Sequence, residues 1–165
     1  LKAPEGRFEY VISPSKITAI IDYAHTPDAL ENILKTLVSL KKGSEKIITV
    51  FGCGGDRDNG KRPLMGEISA IYSQHVLVTS DNPRSENPKK IIEEICKGIS
   101  PSKKNKVTII EDRRKAIKAA SEMASSGDII LIAGKGHEKY QIIGNEKIHF
   151  DDLEETIEIF KKTQE

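Results

Sequence analysis

Hydrophobic residues fall along this chain in short β-rich runs, separated by longer stretches with helical spacing. Phe8–Ser13 and Ile17–Asp22 read as strands parted by the turn residue Pro14. Thr26-Pro27-Asp28 then starts a helix, with Thr as N-cap, Pro in the first turn and Asp near the positive end of the dipole. Leu30, Ile33, Leu34, Leu37 and Val38 form one stripe at i, i+3, i+4, i+7 and i+8, and Lys41-Lys42-Gly43 closes the helix. Lys46–Phe51 is apolar enough for a buried strand. A glycine-rich loop, Gly52–Gly60, leads into a helix over about Arg62–Tyr72, followed by a strand over His75–Thr79. Pro88 opens the next helix, which runs to about Gly98 with Ile91, Ile92 and Ile95 on its inner face. Lys106–Ile110 reads as a strand, and Asp112 caps a helix through about Ser125. Asp128–Ala133 is the most apolar strand; Tyr140–Ile143 and Lys147–Phe150 form a hairpin around Gly144-Asn145; a last helix spans Asp151 to about Lys162.

Strands alternating with helices predict a single α/β domain over residues 1–165. The expected architecture is three-layered and Rossmann-like, a mainly parallel sheet of about six strands with helices on both faces.

Composition excludes several classes of function. The 165 residues are 37% hydrophobic and 31% charged, which suits an ordinary packed domain. A net charge of +1 argues against nucleic acid or an anionic membrane as main partner. No apolar run approaches the ~18 residues of a membrane span, and Leu1–Gly6 does not resemble an export signal. Cys53 and Cys96 lie outside any metal-binding or redox spacing, so two reduced thiols in a cytoplasmic protein are expected. The first residue is Leu rather than Met, as in an excised fragment or a processed chain.

Ligands of open α/β sheets bind outside the carboxyl ends of the strands. Four polar loops are expected there: Asp22–His25, Gly52–Gly60, Ser80–Asn87 and Gly134–Glu138. The glycines of Gly52–Gly60 allow close backbone approach, and the next helix offers its N-terminus to an anion. The loop is nonetheless neither GxGxxG nor GxxxxGK[ST], so neither a dinucleotide fingerprint nor a P-loop is present. In Asp81-Asn82-Pro83-Arg84, Pro83 stiffens the loop, Arg84 suits a carboxylate, and Asp81 and Asn82 offer acceptors to an ammonium. Within Gly134-Lys135-Gly136-His137-Glu138, Lys135 suits a phosphate and Glu138 an amine. The four histidines (25, 75, 137 and 149) are scattered, so no metal site is expected, and no nucleophile triad stands out. Taken one at a time, each loop reads equally well as an ordinary turn. Together they imply a domain whose sheet edge binds a small charged molecule.

These loops resemble, in order, the motifs of the Mur ligase C-terminal domain. The match rests on Asp22-Tyr23-Ala24-His25-Thr26-Pro27, Phe51-Gly52-Cys53-Gly54-Gly55-Asp56-Arg57-Asp58, Lys61-Arg62-Pro63-Leu64-Met65-Gly66, Asp81-Asn82-Pro83-Arg84 and Gly134-Lys135-Gly136-His137-Glu138. The Asp-Asn-Pro-Arg form resembles the branch that adds meso-diaminopimelate to a UDP-muramoyl dipeptide; a lysine-adding homologue is the near alternative. A stand-alone small-molecule-binding module is the alternative from another class. The resemblance implies a peptidoglycan-synthesis ligase using ATP and Mg2+ through an acyl phosphate. Its UDP-sugar and P-loop domains are absent from this chain, which would be inactive alone. By the same resemblance, Arg57, Asp81, Asn82, Pro83, Arg84, Gly134 and Glu138 bind the amino acid, while Arg7, Asp22 and His25 lie near ATP.

Overall fold

The computed structural model describes residues 8–163. Strand β1 (Glu9–Ile12) returns after the Pro14–Ser15 turn as the antiparallel β2 (Thr18–Asp22). Helix α1 (Pro27–Leu40) begins where the Thr26 hydroxyl accepts from Ala29 N at 3.2 Å, and it buries Leu30, Leu34 and Leu37. Val38, expected in the same stripe, remains 43% exposed because the stripe has rotated to the helix flank by that turn. Strand β3 (Ile47–Phe51), helix α2 (Lys61–Tyr72) and strand β4 (His75–Val78) follow. Helix α3 (Pro88–Cys96) is capped by Asn87.

Polar residues 102–105 carry no apolar period, and the strand expected from Lys106 starts one residue later as β5 (Val107–Ile109). Before it, Pro101–Lys106 forms a 3-10 turn, an element too short to leave a 3.6-residue signature in sequence. Asp112 caps α4 (Arg113–Met123) by accepting from Lys115 N at 3.0 Å. Strand β6 (Ile129–Ala133) precedes the hairpin β7 (Tyr140–Ile143) and β8 (Glu146–His149). Asp151 accepts from Leu153 N and Glu154 N to start α5 (Asp152–Thr163).

Six strands form one sheet in the order β1-β2-β6-β3-β4-β5, parallel except for the edge strand β1. Alternation within the strands divides the core between two faces. Ile47, Phe51, Leu131 and Ala133 pack with Leu30, Leu34, Met65, Ile92 and Ile95 from α1, α2 and α3. Ile48, Val50, Ile130 and Ile132 pack with Ile117, Ala120, Ile159 and Phe160 from α4 and α5. Each fully buried large side chain contributes roughly 1.5–3 kcal/mol, so both layers hold the sheet. The three-layer, mainly parallel architecture is therefore the one that the hydrophobic pattern predicts.

The strand order places β2, β6, β3 and β4 side by side. Their carboxyl ends, and hence all four suspected loops, open onto one sheet edge. The β7–β8 hairpin is a separate two-stranded sheet. It is held by Arg84, whose amide donates to Ile142 O at 3.0 Å and whose carbonyl accepts from Gly144 N at 2.7 Å. Among the described residues, no helix is long and apolar enough to cross a membrane.

Candidate functional site

A cleft of about 500 Å³ lies over the ends of these strands. Arg57, Asp81, Asn82, Arg84, Gly134 and Glu138, contributed by three separate loops, all line it. Pro83 does not: it faces a depression on the far side of its own loop. Its contribution is rigidity, and its carbonyl lies against Gly55. A Cβ added at Gly55 would fall 1.9 Å from Pro83 O, so only glycine permits this approach. Gly55→Ala is accordingly expected to spread the two loops, lowering affinity for any ligand in the cleft more than it lowers the unfolding midpoint. A titration showing unaltered ligand affinity would refute that.

Several contacts stitch the glycine-rich loop to the Asp-Asn-Pro-Arg loop. Gly55 N donates to Asn82 O at 2.8 Å, and Arg84 Nη1 donates to Gly55 O at 2.9 Å. The Asp56 carboxylate accepts from Ser85 Oγ at 2.7 Å, which holds its pKa below the usual carboxylate range. Beneath them the buried Arg62 donates to Gly54 O and pairs with Glu86 at 2.8 Å. Arg84 and Asp56 both adopt left-handed backbone, with φ of 53° and 54°. For a non-glycine residue this conformation costs about 1–3 kcal/mol and persists only where surrounding contacts impose it. At Arg84 the bonds to the hairpin hold it, and at Asp56 the bonds to Ser85 and Glu86.

Glu138 is half-buried at the other wall. Burial raises its pKa, the Asp81 charge raises it further, and Lys135, Arg84 and His137 oppose the rise. Lys135, which its sequence context suits to a phosphate, does not reach the cleft surface. It is fully buried, with Nζ 2.7 Å from Asp81 Oδ1 and donating to Asn82 Oδ1 at 3.0 Å. The expectation that both Asp81 and Asn82 offer free acceptors to a ligand ammonium therefore needs correction, because Lys135 occupies one face of each.

Asp22 and His25 line a second cleft of about 400 Å³ with Tyr23, Ala29, Asn32, Ile33 and Thr36. His25 borders both clefts. Asp22 accepts from Phe8 N at 2.8 Å and Ala24 N at 3.0 Å, which fixes the loop. His25 Nδ1 lies 2.9 Å from Tyr23 O, and the two rings stack obliquely with centroids 4.5 Å apart. Arg7 lies outside the described residues. Among those described, no group of acidic, histidine or cysteine side chains is placed to hold a metal ion. Both thiols are free, and burial pushes that of Cys53 up to about 12.

Sequence reasoning missed Tyr140 and Lys61 in the main cleft. Tyr140 belongs to the hairpin rather than to a strand end of the main sheet. Lys61, at the start of α2, donates to His25 O at 2.7 Å and links the loops after β2 and β3. Arg113 was also missed as a supporting residue, yet a signal existed. Arg113-Arg114-Lys115 puts cations in the first turn of α4, against the helix dipole, which is unfavourable unless a partner compensates. That partner is Asp152, 2.8 Å from Arg113.

A six-stranded, mostly parallel sheet with a charged cleft built on its carboxyl edge defines a three-layer α/β domain. The family described as Mur ligase, glutamate ligase domain, matches residues 6–136, and this chain belongs to that family. It is 56% identical over 152 residues to the UDP-N-acetylmuramoyl-L-alanyl-D-glutamate–2,6-diaminopimelate ligase of Cytophaga hutchinsonii, covering 92% of this chain and 31% of that protein. It is likewise 56% identical over 154 residues to the protein of the same name from Aquifex aeolicus, covering 93% and 31%. A solved structure of a ligase of that name superposes with a TM-score of 0.90 at 42% identity, covering 100% of this chain and 33% of the other. The chain thus spans about one third of the length of these relatives.

Proposed function

We propose that this chain is the amino-acid-binding domain of a cytoplasmic, ATP-dependent ligase that joins meso-diaminopimelate to a UDP-muramoyl dipeptide in peptidoglycan synthesis. The observation that carries this reading is the convergence of Arg57, Arg84 and Glu138 on one cleft. The amino acid bears two carboxylates and two ammonium groups. Arg84 takes one carboxylate in a bidentate, charge-assisted contact and Arg57 approaches the other. Glu138 takes the distal ammonium. The side-chain amide of Asn82 and the backbone at Gly134 complete the lining, and Asp81 and Pro83 set the loop's shape. The relatives' shared name, which specifies 2,6-diaminopimelate, supports this assignment.

Binding here orients one amine toward the activated carboxyl of the other substrate, a contribution of positioning rather than of proton chemistry. The cleft lined by Asp22 and His25 adjoins the first and suits the nucleotide of ATP, with the Tyr23 and His25 rings as a stacking wall. Arg7 stands with them by sequence resemblance. Asp22 is held by two backbone amides, and with no GxxxxGK[ST] in this sequence the Mg2+ and phosphate chain are assigned, by the family resemblance, to a P-loop elsewhere in the ligase. On this reading the domain is inert alone.

The test is amino-acid-dependent phosphate release by the full ligase that carries this chain. Lysine lacks the distal carboxylate and leaves one cleft guanidinium unpaired, so kcat/KM is expected to favour meso-diaminopimelate by roughly a hundredfold or more. Preference for L-lysine would assign the chain to the homologous branch. Binding of unrelated small molecules, with no ligase activity, would support a stand-alone module.

A pH profile follows from Glu138. Its carboxyl is raised by burial and by Asp81, and only the ionised form holds an ammonium. As pH falls, Glu138 protonates earlier than an ordinary glutamate, so KM for the amino acid is expected to rise at a pH above the normal carboxylate range. Glu138→Gln should flatten that limb; a limb that survives the substitution would assign it to another group.

A further inference from the structure

Lys135 sits between the cleft and the core, and none of its hydrogen bonds points to solvent. Besides Asp81 and Asn82, its Nζ donates to Tyr140 O at 2.8 Å. It therefore joins the loop after β4, the loop after β6 and the first strand of the hairpin. The same corner is closed by Ile142 N, donating to Asn82 Oδ1 at 2.9 Å, and by Gln141 Nε2, donating to Asp81 O at 2.8 Å. Arg113 supports it from below, donating to Ser80 O at 3.3 Å and to Ala133 O at 3.1 Å. These carbonyls immediately precede Asp81 and Gly134.

We propose that Lys135 is a positioning and specificity-determining residue: its ammonium occupies one face of the acceptor corner formed by Asp81 and Asn82, so that the distal ammonium of the bound amino acid is directed to Glu138. The inference rests on the amino-acid-binding reading given above. An uncompensated corner would offer a ligand ammonium a second, wrongly placed acceptor pair. It would also set the charges of Asp81 and Glu138 against each other in one half-buried site. The charged groups facing Glu138 are Asp81 from the loop after β4, Lys135 and His137 from its own loop, and Arg84 across the cleft. Burial lowers the Lys135 pKa and Asp81 opposes that shift, so the ammonium charge is tied to this carboxylate.

The experiment is Lys135→Met in the full ligase, with KM determined for each substrate across pH. The amino-acid KM is expected to rise about 10- to 100-fold, as for misplacement of a binding group by about an ångström, with KM for ATP and the UDP-linked substrate little changed. The acidic limb of the amino-acid profile is expected to move to higher pH, a shift that a merely structural role would not produce. A folded variant with an unaltered amino-acid KM, or with all three KM values raised equally, overturns the proposal. If Lys135→Met does not fold, Lys135→Met with Asp81→Asn removes both charges of the pair. This double variant should return the acidic limb toward that of the unsubstituted ligase while the amino-acid KM stays raised, because Asn82 has lost one of its two donors. An unraised KM in the double variant overturns the proposal equally. A ligase that rejects meso-diaminopimelate but uses another amino acid defeats only the substrate assignment, and the same variants then test Lys135 with that amino acid.

Discussion

Replacing Arg113 with Met is expected to destabilise the domain by about 3–5 kcal/mol, the usual consequence of removing one partner from a buried ion pair. Arg113 and Asp152 are both fully buried, so no solvent screening reduces the figure. Burial alone would lower the guanidinium pKa, but Asp152 more than compensates and the net shift is upward. Two bonds, from Nε at 2.8 Å and Nη2 at 2.8 Å, hold the carboxylate in a fork. Without the guanidinium, Asp152 becomes a lone buried charge at the start of α5, and Ser80 O and Ala133 O lose a donor. Those carbonyls lie just after β4 and at the end of β6, where the cleft loops begin, so amino-acid binding should weaken along with stability. Replacing both partners by apolar residues should be milder than the single change, because no charge is left uncompensated. Urea unfolding monitored by circular dichroism gives the comparison. A loss below about 1 kcal/mol for Arg113→Met would mean that water reaches the pair.

The second large effect is on binding. Arg84→Ala is expected to cost roughly 2–5 kcal/mol of affinity for the amino acid, the range for truncating one partner of a buried charge pair. At 1.4 kcal/mol per decade this is about 30- to several-thousand-fold in KM. KM for ATP should change little, since Arg84 does not line the second cleft, the one proposed above for the nucleotide. Part of the loss comes from the protein itself, because Arg84 Nη1 also bonds Gly55 O and ties the two loops. Arg84→Lys retains charge but cannot reproduce the planar fork, and its KM should fall between those of Arg84→Ala and the unsubstituted ligase. An unchanged KM in Arg84→Ala would remove this residue from the site.

The fold was legible because its signals are local. Thr26, Asn87 and Asp112 each accept from a backbone amide at a helix start, as their positions in sequence predict. The near-continuous apolar runs Ile47–Phe51 and Ile129–Ala133 mark both faces as buried, which requires helices on both sides. The four candidate loops were legible for a related reason: glycine, proline and charge following an apolar strand are unusual unless the backbone must turn tightly or meet a ligand. The 3-10 turn at Pro101–Lys106 was not legible, because a short element without an apolar face leaves no period.

The assignment of individual charged residues was harder. Lys135 and Arg57 look alike in sequence, each a cation in a glycine-rich loop. One proves fully buried and the other exposed at the cleft. Lys135 is separated from its partner Asn82 by 53 residues and Arg113 from Asp152 by 39, distances across which composition carries no information.

By itself, then, the sequence determined the elements, their caps, the two-sided core and the loops in which charge gathers, because all of these arise from neighbours within a few residues. Only the tertiary structure decided that β6 inserts between β2 and β3, which brings those loops together. It also decided which cations face the cleft and which are buried in the scaffold. The physical reason is desolvation: a buried charge needs a partner at hydrogen-bonding distance, and only the folded chain brings residues so far apart in sequence within that distance.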